Sequence, residues 1–82
     1  MLDEKTKELI AIGATITANC QPCLDYHTGK ARELGAADAD ILTAIEVGKQ
    51  VRIGAAGKMD RYAASRVGAP QPAATGDCGC AE

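Results

Sequence analysis

The sequence predicts an all-α fold, and three observations carry that prediction. Apolar residues recur at helical spacing, in Leu9, Ile12 and Ile16 and again in Ile41 and Ile45 with Gly48. No segment alternates apolar and polar residues as a half-buried strand does. The periodic segments are separated by helix punctuation, with Pro22 suited to a first turn and Gly35 suited to a stop.

The first helix is expected over residues 3–18, with Asp3 and Glu4 at its positive dipole end. Leu9, Ile12 and Ile16 form its buried stripe, and Ile10 widens it. Glu8 lies beside that stripe, where a helix carboxylate is ordinarily solvated. Residues 19–22 break the chain and start a second helix that runs to Leu34. Its inward stripe is Cys20, Cys23, Leu24, His27, Ala31 and Leu34. So short a break makes the two helices an antiparallel or steeply crossed pair. Asp38 is the expected N-cap of a third helix over residues 39–53. Gly48 marks a close helix contact. Gly54 to Gly57 mark a bend before a short fourth helix over residues 58–65.

Composition changes at Val67. Residues 67–82 hold Pro and Gly, no periodicity and, beyond Val67, no large apolar residue, so the expected organisation is a helical core over 1–66 and a flexible tail over 67–82. A chain of 82 residues is one small domain. It buries only about 60% of its unfolded surface, so a lone monomer is marginal and a homo-oligomer is expected.

The formal charge of −2 is nearly balanced, and no basic run with interleaved aromatics points to nucleic acid. The charged N-terminus does not read as a signal peptide, and residues 9–18 are too short an apolar stretch to span a bilayer. A cytoplasmic protein is therefore expected. In that compartment four cysteines point to redox or metal chemistry more than to structural disulfides.

The reactive residues concentrate in Cys20-Gln-Pro-Cys23-Leu-Asp-Tyr-His27. A Cys-x-x-Cys at a helix start brings two sulfurs within bonding reach, and the dipole there stabilises a thiolate. His27 follows Cys23 by one turn and can move a proton to or from a thiol. The helix start favours Cys20 as the attacking sulfur, whereas the spacing to His27 favours Cys23. Glu8 lies about 18 Å before Cys20 along a helix, and His27 climbs back about 10 Å after the reversal. The remaining gap of roughly 7 Å suits a Glu8–water–His27 link. Asp25 and Tyr26 read as surface or interface residues.

Glu8, Cys20, Cys23 and His27 together reproduce the spacing Glu-x11-Cys-x2-Cys-x3-His. In this the chain resembles the AhpD-like alkylhydroperoxidases of the carboxymuconolactone decarboxylase superfamily. Glu33-Leu-Gly35-Ala36, the acidic run from Asp38 to Asp40 and residues 41–48 are similar as well. The resemblance covers roughly residues 4–64. It implies an all-helical subunit assembled as a trimer or hexamer. It also implies a catalytic dithiol without a bound cofactor, served by a Glu8–His27 proton relay. Cys23 would attack, Cys20 would resolve, and a thiol or disulfide partner protein would supply or take electrons. The decarboxylase branch of the superfamily works without the cysteine pair.

The expected function is thus a thiol oxidoreductase reducing peroxides or disulfides. The alternatives are a metal-binding or redox-sensing oligomer, and a decarboxylase or other lyase on the same fold. Zinc on Cys20, Cys23 and His27 with a tail cysteine is a further reading, although that spacing on one short helix is uncommon for zinc. Cys78-Gly79-Cys80 lies outside the resemblance. It suits an auxiliary redox pair, a soft-metal site or an end without a role.

Overall fold

The computed structural model describes residues 1–68. Within them the chain forms three helices and no strand: α1 (Glu4–Ala18), α2 (Gln21–Glu33) and α3 (Asp38–Val67). Met1–Lys49 forms one compact unit holding α1, α2 and the first part of α3. A second unit begins at Gln50 and, among the described residues, carries the rest of α3.

α1 begins one residue later than expected because Asp3 is its N-cap. The Asp3 carboxylate accepts from the Thr6 backbone N–H at 2.8 Å. Those hydrogen bonds from Thr6 hold the Asp3 carboxyl below its ordinary range. α1 ends where Asn19 turns left-handed, at φ 57°. Asn tolerates that region better than most side chains, and its N–H closes onto the Ile16 carbonyl at 3.1 Å. Cys20 then caps α2 in extended backbone, and Pro22 follows inside the first turn. α2 stops at Gly35, where φ is 88°.

The core is small. Ile12, Ala31, Ala36 and Ile41 are buried, with Leu9, Leu24, Ala44 and Ile45 packed around them. Two expected stripe residues fall outside it. Ile10 is 56% exposed, because it points away from the Leu9–Ile12–Ile16 seam of α1. Leu34 is exposed because it follows the helix as its C-cap.

α1 and α3 meet through small residues. Gly48 is buried, and a Cβ there would fall on the Gly13 carbonyl oxygen and within 2.8 Å of Ile16 Cβ. The close helix contact expected at Gly48 is therefore present. Thr17 lies at this contact, its Oγ1–H donating to the Gly48 carbonyl at 3.1 Å.

Two expectations for α3 are overturned. Asp38 is the first helical residue, and the Ala37 carbonyl accepts the first bonds of the helix from Asp40 and Ile41. The Asp38 carboxylate instead receives Arg32 Nε at 3.3 Å. The bend at Gly54 to Gly57 and the separate fourth helix are absent, since α3 runs unbroken to Val67. An isolated Gly costs a helix about 1 kcal/mol but does not remove a backbone N–H as Pro does. No Pro lies between Asp38 and Val67, and Ala, Lys, Met and Arg around these glycines are good helix formers. Of the expected tail, Val67 still belongs to α3, and Cys78 and Cys80 lie outside the described residues.

Candidate active site

The site is built where α1 hands over to α2. The left-handed turn at Asn19 reverses the chain, so α2 packs back along α1. Cys20 stands just before α2 and Cys23 within its first turn. Their Cα atoms are 5.3 Å apart, and the two sulfurs are joined in a disulfide. Both cysteines are half-buried, and Gln21 and Pro22 between them are exposed. The pair therefore opens to solvent on one side and rests on the helix pair on the other.

His27 lies one turn beyond Cys23. Its Nδ1 meets Glu8 Oε1 at 2.6 Å, across from α2 to α1. The contact is direct, so the expected bridging water is not needed. The axial gap is one that a Glu and a His side chain can span between them, and here they do so directly. Glu8 is 17% exposed and His27 29%. Glu8 is thus a partnered, largely covered carboxylate rather than the solvated one its helix position suggested. With Glu8 ionised, His27 carries its hydrogen on Nδ1 and leaves Nε2 as the acceptor.

Tyr26 is exposed, as expected, and its ring meets the His27 ring edge-on at 5.0 Å. Asp25 is also exposed. Sequence reasoning missed a groove of about 500 Å³ between α2 and the start of α3. Leu24, Thr28 and Arg32 line one side, and Ile41, Leu42 and Ile45 the other. The signal was present in the exposed Leu42 beside the Ile41–Ile45 stripe, but only the packed helices reveal the space. The groove starts at Leu24, next to Cys23, and follows α2 past the turn that carries His27.

Among the described residues, no group of three or more His, Cys, Asp or Glu side chains is arranged to hold a metal ion. No helix among them is long and apolar enough to cross a membrane.

The model of the carboxymuconolactone decarboxylase family matches residues 1–57. The chain belongs to that family. The match spans the whole helix pair, the disulfide, His27 and Glu8. Among curated proteins, the chain is 40% identical over 55 residues to a Paracoccus denitrificans protein described as "Uncharacterized protein 4 in cox locus". That match covers 67% of this chain and 50% of the relative, so the chain spans about half the relative's length. No solved structure matches significantly. The AhpD-like resemblance and the all-α fold stand on these findings. A cysteine pair beside a Glu–His contact suggests redox chemistry on this fold.

Proposed function

We propose that this protein is a thiol-dependent oxidoreductase that reduces peroxides or disulfides through a Cys20–Cys23 dithiol cycle. One observation supports this reading above the others. The disulfide and the Glu8–His27 bond at 2.6 Å lie within one helical turn of each other. That puts an electron store and a proton carrier in one half-buried site. A lone structural disulfide has no use for a partnered histidine one turn away.

In the cycle, His27 takes the proton of the Cys23 thiol. The thiolate attacks one oxygen of a peroxide, the O–O bond breaks, and an alcohol or water leaves with a proton. Cys23 is then a sulfenic acid. The Cys20 thiol attacks that sulfur, water departs, and the disulfide forms. With a disulfide substrate, Cys23 forms a mixed disulfide that Cys20 resolves, releasing both substrate sulfurs as thiols. Each turnover oxidises one dithiol and transfers two electrons. An external thiol or a dithiol partner protein restores the pair. Glu8 acts through His27 by orienting the imidazole and balancing its charge when protonated. A reducing, cytoplasmic setting suits such a cycle.

We also propose a homo-oligomer, a trimer or hexamer, because the core is thin and α3 exposes Leu42, Val47, Ile53, Met59 and Tyr62.

The test is a mass measurement of the fully reduced protein before and after one equivalent of hydrogen peroxide. The expected result is a loss of two hydrogens in the peptide holding Cys20 and Cys23. Catalytic turnover with a dithiol donor should disappear in both Cys20→Ser and Cys23→Ser. An unchanged peptide after peroxide and after a small disulfide would refute the reading. Decarboxylation retained in the double serine variant would instead support a lyase.

A further inference from the structure

We propose that the groove between α2 and the start of α3 seats a second copy of this chain, the two α2 helices crossing antiparallel about a two-fold axis between Thr28 and Gly29. The proposal rests on the homo-oligomer reading above and deepens it by naming an interface. Every residue it uses lies within the compact unit Met1–Lys49.

Three observations lead to it. The first is an uncovered apolar wall. Leu42 is 61% exposed although it lines the groove beside Ile41 and Ile45. A chain with so thin a core gains burial by covering that wall.

The second is the face of α2 that forms the opposite wall. Asp25, Thr28, Gly29 and Arg32 line the groove at i, i+3, i+4 and i+7, which makes them one stripe of the helix. Thr28 and Gly29 at its middle are short, and a Cβ on Gly29 would meet nothing within 4 Å. Two such stripes can close to the ordinary helix spacing of about 8–10 Å.

The third is the charge pattern, and it selects the occupant. The stripe has an acid at one end, Asp25, and a base at the other, Arg32, both exposed. The two lie equally far along the helix from the point between Thr28 and Gly29. A copy turned about that point sets its Arg32 against Asp25 and its Asp25 against Arg32. A two-fold interface demands this reciprocity, since the same patch is used by both copies. A partner of one uniform charge would be repelled by one end of the stripe. Within its own chain Arg32 donates through Nε to Asp38 at 3.3 Å, with both side chains more than half exposed. So exposed a pair is weak, and the five guanidinium donors can serve a second carboxylate.

The pairing leaves the disulfide open. At 3.6 residues per turn, the stripe lies about 100° or more around α2 from Cys23 and His27. The pairing also constrains the assembly. A hexamer of three two-fold pairs contains this contact, whereas a plain three-fold trimer does not.

The test is charge exchange, read by analytical ultracentrifugation of the full chain over a range of concentrations. Asp25→Arg sets like charges together twice in each pair, and so does Arg32→Asp. Each alone should raise the dissociation constant of the two-fold contact about tenfold or more. An equimolar mixture of the two single variants should associate like wild type, because each copy then offers the charge the other lacks. Mixing cannot repair a lost Arg32–Asp38 pair or a folding defect. Asp25→Arg/Arg32→Asp in one chain should also associate like wild type, and it carries the test where a single variant does not fold.

The interface is overturned if both single variants associate as tightly as wild type. It is also overturned if neither the mixture nor the double variant recovers, or if wild type is a plain trimer. Those outcomes give the groove to another occupant and leave the oligomer reading standing. A wild-type monomer at every concentration sinks both, which separates the two failures.

Discussion

His27 is engaged at Nδ1 by Glu8, and that bond sets what its second nitrogen does. An imidazole donating to a carboxylate keeps one tautomer and one orientation, so Nε2 stays ready to accept. His27→Ala should therefore lower turnover by about 10²-fold or more while the disulfide still forms under slow oxidation. Glu8→Gln should lose less, because glutamine keeps the size and can still accept from Nδ1–H, but cannot balance an imidazolium. Steady-state kcat and KM for the donor measure both variants. Equal turnover in His27→Ala and wild type would remove the histidine from the mechanism.

At the scale of elements, the close approach of α1 and α3 depends on one missing side chain. At Gly48 a Cβ would meet the Gly13 carbonyl oxygen and Ile16 Cβ inside ordinary contact. Gly48→Ala gains about 1 kcal/mol of helix propensity but incurs about 1–3 kcal/mol of overpacking. Overpacking wins here, since a backbone carbonyl cannot swing aside as a side-chain tip can. The shift should also lengthen the bond between Thr17 and the Gly48 carbonyl. Gly29 sits in α2 with nothing within 4 Å of the place a Cβ would take. Gly29→Ala should therefore stabilise by up to about 1 kcal/mol. Urea unfolding of the two variants tests this: the same substitution should move the midpoint in opposite directions. Two shifts of the same sign would contradict the packing described at Gly48.

For the whole molecule, the question is how so thin a core holds together. Only one large side chain, Ile12, is fully buried among the described residues. The remaining buried core residues are Ala31, Ala36 and Ile41. Burying a side chain such as Ile12 contributes about 1.5–3 kcal/mol, and a few such terms barely offset the entropy of ordering this chain. Apolar surface left on α3 is the natural source of further burial. Met59, which is 63% exposed, repeats the helical face of Ile41 and Ile45 without their cover. Sedimentation should report an assembly several times the 8.4 kDa chain mass. Met59→Glu should shift it to smaller species and lower the melting temperature. A wild-type monomer that melts cooperatively would sink the oligomer proposal.

The residues of the site were legible because their chemistry is local. Cys20, Cys23 and His27 lie within eight positions, and helical spacing alone puts Cys23 and His27 one turn apart on α2, just after Cys20 at its N-cap. The all-α class, the break at Asn19 and the close contact at Gly48 were legible for the same reason, since each follows from nearby residue types. What sequence spacing could not decide was whatever depends on side-chain reach or on competition between elements. The direct Glu8–His27 bond is of the first kind: spacing brings the two side chains within reach, and only the packed helices fix that they meet directly. The unbroken α3 is of the second kind. Its glycines weaken the helix locally, but they remove no hydrogen-bond donor, so the surrounding good helix formers carry the backbone through to Val67. By itself the sequence determined which reactive side chains are present and that Glu8 and His27 come within reach of each other; only the tertiary structure decided that the two meet directly, because that depends on how closely α1 and α2 pack.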